Sequence, residues 1–231
     1  MKSYTKYYEE KLYPLQDGIL RIVKDLKLPF YLTGGTALSR HYFSHRYSDD
    51  IDLFVNDDSL YADYINKFTD HLINQTSESF RFIPDRFVKS ENHTQIFVEQ
   101  GSTVLKIDLV NDVKFHFGDF VTSQSLVRID SWRNILSNKV AAAFRMEVKD
   151  FVDIWIISKN RQFNWMEIFN ESKQKDPGAD PIALADLFIS FPFSDIDIIK
   201  WIKKPDVEKL KKEFIKVADD ILLGKDDSLY K

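Results

Sequence analysis

Asp50 and Asp52 flank a single isoleucine fifteen residues beyond the glycine pair Gly34-Gly35, and this pattern restricts the fold of the chain more tightly than anything else in it. In an extended strand, residues two apart share a face. Both carboxylates therefore emerge on one side while Ile51 and Leu53 enter a core on the other. Two acids held so close repel one another unless a cation neutralises them. A hard divalent ion such as Mg²⁺, shared with substrate phosphates, is the usual occupant of a sparse carboxylate site. The pattern calls for a strand with one buried face and points toward phosphate chemistry.

The neighbouring segments build a frame for it. Residues 29–33 read as a short strand ending at Gly34-Gly35, and residues 36–43 begin a helix there. A glycine pair at such a turn lets backbone N–H groups approach phosphate oxygens; the helix N-terminus adds partial positive charge, and Thr36 can add a hydroxyl. Taken alone, Gly-Gly-Thr is a plain turn and Asp-x-Asp a strand end with solvated acids. Upstream, Leu15, Ile19, Ile22, Val23 and Leu26 recur at helical spacing, with Pro14 in the first turn. Downstream, Ser59 is expected to cap a helix over 60–73. Residues 80–88, 94–99 and 103–110 read as strands, the last two joined as a hairpin at Gln100-Gly101-Ser102. In 103–110, Asp108 faces opposite Ile107 and Leu109, so a neighbouring strand would set it beside Asp50 and Asp52. Three such acids can hold two divalent ions that bridge a nucleoside triphosphate and an attacking hydroxyl, with Asp108 accepting the hydroxyl proton. The alternative is a lone surface acid on an edge strand.

From Ser131 the pattern turns helical. Ser131 caps 132–146, a second helix covers 148–158, and Asn164 caps a third. The boundary falls in 124–130, giving a mixed α/β domain over 1–125 and a helical domain over 126–231. Residues 148–158 are apolar on nearly every side, so the helix is expected to be buried. Asp150 and Asp153 share one stripe of it, and buried acids need cations; Lys139 and Arg145 are the nearest in sequence. Either Lys139 meets the triphosphate with the acids orienting it, or the group is a salt-bridge network pinning two helices. His41 and His45 have the spacing of a helical zinc pair but lack a third ligand. Arg46 is placed to meet phosphate or to brace Asp50 and Asp52. The lysines from Lys200 to Lys216 alternate with Asp206, Glu208 and Glu213, the pattern of a solvated face.

Composition narrows the partners. A net charge of −4 argues against a surface coated in positive potential, so nucleic acid would need a local patch. With no cysteine, thiolate metal sites and disulfides are excluded. The charged, aromatic start MKSYTKYYEE lacks the apolar run of a signal peptide, and no membrane span is evident, so a soluble cytoplasmic protein is expected.

Leu32-Thr33-Gly34-Gly35-Thr36-Ala37-Leu38 followed by Arg46-Tyr47-Ser48-Asp49-Asp50-Ile51-Asp52-Leu53 resembles the signature of the AbiEii/AbiGii nucleotidyltransferase toxins, within the DNA polymerase β-like nucleotidyltransferase superfamily. Lys139, Arg145 and Lys149-Asp150-Phe151-Val152-Asp153 are similar to that family's second block, so the resemblance spans residues 31–153. It implies an α+β fold: a polymerase β-like mixed sheet flanked by helices, followed by a helical region. It further implies that Gly34 and Gly35 line the nucleotide phosphates, that Asp50 and Asp52 bind Mg²⁺ and that Asp108 matches the superfamily's third carboxylate and metal ligand; Thr36, Arg46, Ser48, Lys139 and Arg145 are the further candidates for holding the nucleotide. Lys139 with Asp150 or Asp153 would be an additional essential site. The spacing from Gly35 to Asp50 is slightly longer than the commonest one in the superfamily. The family is typically encoded beside an antitoxin, and several members modify tRNA.

The expected activity is Mg²⁺-dependent transfer of a nucleoside monophosphate from a triphosphate to an acceptor hydroxyl, with tRNA as acceptor, by the toxin of a toxin–antitoxin or abortive-infection system. The competing readings are transfer to a small hydroxylated molecule of aminoglycoside type and a non-catalytic partner-binding module with the same fold.

Overall fold

The computed structural model describes residues 2–74, 80–122 and 127–230. The chain forms two compact units: Met1–His41 with Tyr47–Asp130, and Tyr42–Arg46 with Ser131–Lys231. The expected boundary between residues 125 and 126 lies outside the described residues.

The first unit is built on a mixed sheet of β1 (Tyr31–Thr33), β2 (Ile51–Asn56), β3 (Arg81–Phe82), β4 (Val88–Lys89), β5 (His93–Gln100) and β6 (Thr103–Asp112). Its order is β1-β2-β6-β5-β3, with β4 also paired to β5; β2 and β6 run parallel and the other pairs antiparallel. The strand expected over 80–88 is instead two two-residue pieces split by a 3₁₀ turn, Pro84–Arg86. Proline has no N–H for a ladder and interrupts it there. The 128–130 segment adds a further edge beside β1, where Leu32 N–H donates to the Arg128 carbonyl and Asp130 N–H to that of Leu32, each at 2.9 Å.

Alternation fixes what the sheet presents. Ile51, Leu53 and Val55 are buried while Asp52, Phe54 and Asn56 stay partly exposed. β6 repeats this with Leu105, Ile107 and Leu109 inside and Lys106, Asp108 and Val110 outside. The parallel register pairs Ile51 with Ile107 and Asp52 with Asp108, so these two acids stand side by side on one face. The β5–β6 hairpin closes through Gly101 and Ser102 as expected, with Gly101 at φ +59.

Helices complete this unit. α1 (Lys2–Tyr7) runs through a π-helical turn into α2 (Tyr13–Asp25), which has Pro14 in its first turn and buries Leu15, Ile19, Ile22 and Val23. α3 (Gly34–Ala37) follows β1 directly and continues as a six-residue π-helix, Leu38–Phe43. α4 (Tyr61–Asn74) buries Tyr61, Ile65, Phe68 and Leu72. Its entry is fixed by the Asp58 carboxylate, which accepts the Leu60 N–H at 2.9 Å, and not by Ser59.

The second unit is helical: α5 (Trp132–Ala141), α6 (Val148–Asn160), α7 (Trp165–Lys175), α8 (Pro181–Ile189) and α9 (Val207–Leu223). Ser131 and Asn164 cap α5 and α7 as their sequence positions predict. α5 stops short of the expected residue 146; its chain tightens into a 3₁₀ turn at Ala143–Arg145, and Met146 turns out through φ 54. Phe188, Phe191, Phe193 and Phe214 pack edge to face or tilted at centroid distances of 4.9–5.3 Å. Lys211 on α9 pairs with Glu208 in solvent, as expected of a solvated face, whereas Glu213, near Lys209, is largely buried and accepts from Trp155 and Lys159. Among the described residues no helix is long and apolar enough to cross a membrane.

Candidate active site

Gly34 and Asp52 meet in a close junction within the first unit. Gly34 sits at φ +66, a conformation that favours glycine, and it packs directly against the Asp52 carboxylate. A Cβ added there would overlap Asp52 Oδ2 and stand 3.0 Å from Cγ and 3.3 Å from Cβ. The glycine turn and the acidic strand, fifteen residues or more apart in sequence, are thus held in contact by the antiparallel pairing of Thr33 with Asp52.

The acids themselves are bridged by a lysine. Lys106 Nζ lies 3.1 Å from Asp50 Oδ2 and 2.9 Å from Asp108 Oδ2, and the other Asp108 oxygen accepts from His93 Nε2 and Gln95 Nε2 at 3.0 Å each. Burial disfavours the Asp108 charge, but Lys106, Gln95 and His93 outweigh it and hold the carboxyl below its ordinary range. Burial likewise works against the Lys106 ammonium, and Asp108 and Asp50 reverse this and raise its pKa. A lysine ammonium thus lies between two of the three acids expected to hold Mg²⁺. Among the described residues no group of three or more His, Asp or Glu side chains is arranged to hold a metal. Asp50 and Asp52 remain an all-oxygen donor pair suited to one hard ion.

Two other expected site residues, Thr36 and Ser48, are buried. Thr36 is fully buried and its hydroxyl donates to the backbone carbonyl of Asp50. Ser48 is buried, and its carbonyl accepts from Gln16 Nε2 at 3.2 Å. Asp130, unremarked in the sequence, is fully buried and accepts from Thr33 Oγ1 at 2.5 Å and from His116 Nε2 at 2.9 Å, pinning the residue before Gly34. Lys106 itself was legible from parity: two residues before Asp108, it must share that face.

The second unit gathers the remaining candidates into one buried network. Lys139 donates to Asp150 Oδ1 and lies 2.9 Å from Asp153 Oδ2. Arg46 grips Asp153 through Nε and a terminal nitrogen at 2.8 Å each, and His45 Nε2 lies 2.9 Å from the same carboxylate. Arg46, expected at a phosphate or against Asp50 and Asp52, pairs with Asp153, and so does His45. Burial opposes the Asp153 charge, yet Arg46 and Lys139 overwhelm it, and its pKa lies well below 3.8. Burial keeps His45 neutral by lowering its pKa against the pull of Asp153. Arg145 stands 3.5 Å from Asp150 and is largely exposed.

Comparison with known proteins accords with this architecture. None of the curated proteins matches the chain. Among solved structures, the fold resembles MenT4, a nucleotidyltransferase toxin from Mycobacterium tuberculosis, with a TM-score of 0.65 at 13% identity over 92% of this chain and 82% of that one. It also resembles JHP933 from Helicobacter pylori, with a TM-score of 0.59 at 18% identity over 95% of this chain and 92% of that one. At such identities the likeness is one of fold. The model of the nucleotidyl transferase AbiEii toxin family, described as a type IV toxin–antitoxin system, matches residues 19–220 and so takes in both units. A glycine turn seated on an acidic strand, a polar face shared by parallel strands, and a sequence match across most of the chain converge: this protein belongs to the AbiEii nucleotidyl transferase toxin family.

Proposed function

We propose that the centre at Gly34, Asp50, Asp52 and Asp108 moves a nucleoside monophosphate from a triphosphate to a hydroxyl of tRNA in the cytoplasm. Membership of the family makes the chain a nucleotidyltransferase of a toxin–antitoxin family, which supports a nucleoside triphosphate as donor and an antitoxin as partner. The observation that carries the proposal is Asp52, set in register with Asp108 on one side and packed against the glycine turn on the other. The acceptor oxygen bonds to the α-phosphorus, pyrophosphate leaves with the electrons of the broken P–O bond, and the hydroxyl proton passes to solvent or a carboxylate. Asp108 accepts from Lys106, His93 and Gln95, and these donors lower its pKa and make it a poor proton acceptor. Gly34 and Gly35 let the backbone approach the phosphates. Asp50 and Asp52 are the residues that would hold Mg²⁺, which supplies charge neutralisation for the triphosphate when bound.

Lys139, Asp150 and Asp153 are assigned a positioning role, locking α5, α6 and Tyr42–Arg46 together. Exposed Arg145 is the cation of that group open to an anionic ligand. The tRNA acceptor follows the sequence resemblance. The net charge of −4 favours the second reading, a cationic acceptor of aminoglycoside type, which would show as drug resistance without growth inhibition. Incubation with radiolabelled triphosphates, Mg²⁺ and total bacterial tRNA tests the proposal. Label on tRNA that disappears with Asp52→Ala is the expected result, and a wild-type chain that binds no nucleotide overturns it.

A further inference from the structure

We propose that Lys106 is a built-in cation standing where a second metal ion would otherwise lie, so that this site takes one divalent ion and not two. The inference rests on the nucleotidyl-transfer reading of Asp50 and Asp52 and adds to it the number of ions the centre can hold.

The placement follows from the sheet. Ile51 pairs with Ile107, so Asp50, one residue earlier on β2's approach, falls beside Lys106, while Asp52 falls beside Asp108. The alternation of β6 puts Lys106 and Asp108 on the same, partly exposed face. Lys106 Nζ is 3.1 Å from Asp50 and 2.9 Å from Asp108, ion-pair distance to both. A metal bridging those two carboxylates would need the space that this ammonium fills.

Two further features oppose displacement. The second oxygen of Asp108 is already engaged by His93 and Gln95, so the carboxylate has few lone pairs left for an incoming ion. A second ion between Asp50 and Asp108 would also meet the fixed positive charge of Lys106 at contact distance. Lys106 therefore acts as a positioning residue that keeps Asp50 and Asp108 together without a metal between them.

The test counts ions and does not depend on turnover. The full chain is titrated with Mn²⁺ in the presence of a saturating non-hydrolysable triphosphate, and free Mn²⁺ is read by electron paramagnetic resonance. Wild type should bind one ion per chain, Lys106→Met two, and Lys106→Arg, which keeps the charge, one. A circular-dichroism melt confirms that each variant is folded. Two ions bound by wild type, or one bound by a folded Lys106→Met, overturns the inference while leaving the nucleotidyl-transfer reading intact. If wild type binds neither Mn²⁺ nor the triphosphate, that reading fails and the inference fails with it.

Discussion

Replacing Gly34 by alanine tests whether the glycine turn and the acidic strand are held in contact by the absence of one carbon. Two costs are separable. An L-residue at φ +66 pays about 1–2 kcal/mol for left-handed backbone, less about 0.4–1 kcal/mol returned by the stiffer unfolded chain. The new methyl group also overlaps Asp52 Oδ2, and overpacking of this kind costs about 1–3 kcal/mol. Gly34→Ala should therefore destabilise by about 3 kcal/mol, and transferase activity should fall because Asp52 is pushed from its place. Asp52→Ala removes the overlapping carboxylate and leaves a single tight contact, at 3.3 Å from Cβ. In that background Gly34→Ala should cost only the backbone term, about 1 kcal/mol, giving a coupling near 2 kcal/mol in a double-mutant cycle. Urea denaturation of the four proteins at one pH and temperature measures it. Equal losses in both backgrounds would show that the carboxylate is not what Gly34 accommodates, and the account of the junction would be wrong.

Asp153→Asn should destabilise by about 3–5 kcal/mol at neutral pH, because Arg46 and Lys139 lose a buried counter-charge. Since the folded pKa of Asp153 is depressed, that contribution is present above its unfolded value of 3.8 and fades as acid protonates it; denaturation curves of wild type and variant should converge at low pH. A neutral-pH difference below about 1 kcal/mol would refute the network as a structural lock. Asp227 behaves in the opposite sense. Burial raises its carboxyl from 3.8 to about 7, and its Oδ1 has no hydrogen-bond partner among the described residues. A raised acid pKa favours the protonated fold, so stability should decline as pH climbs from about 4 to about 7, by at most on the order of 4 kcal/mol. Asp227→Asn should remove that slope and be more stable than wild type at pH 8. Chemical denaturation at pH 5 and pH 8 decides it, and an unchanged slope would rule it out.

What the sequence discloses here is set by the range of the interaction. Strand parity is local, so the outward faces of β2 and β6 were readable from spacing; the pairing of Asp52 with Asp108 depends on the two strands lying side by side in register. Capping is local too, and Ser131 and Asn164 sit where their side chains dictate. The break at Pro84 carried a signal in the proline itself, overridden in the reading by the apolar residues on either side. The ion partners were less legible. Lys106 could have been assigned from parity, but its choice of Asp50 and Asp108 depends on β2 and β6 pairing in parallel. Arg46 could not be placed at all: Asp153 lies 107 residues away, and nothing near Arg46 distinguishes that acid from Asp50, four residues on.

The excursion at Tyr42–Arg46 has a consequence for anyone dissecting this chain. Cutting before Ser131 yields a contiguous fragment that contains every long helix of the second unit yet omits His45 and Arg46. Asp153 would keep Lys139 and lose its guanidinium clamp, leaving an excess of negative charge sealed in an apolar interior. Such a fragment should misfold or take up water at that spot, and co-expressing the missing pentapeptide tethered ahead of α5 should rescue it. The helical half is thus an incomplete jigsaw on its own, finished by a clip that the ribosome makes almost ninety residues earlier.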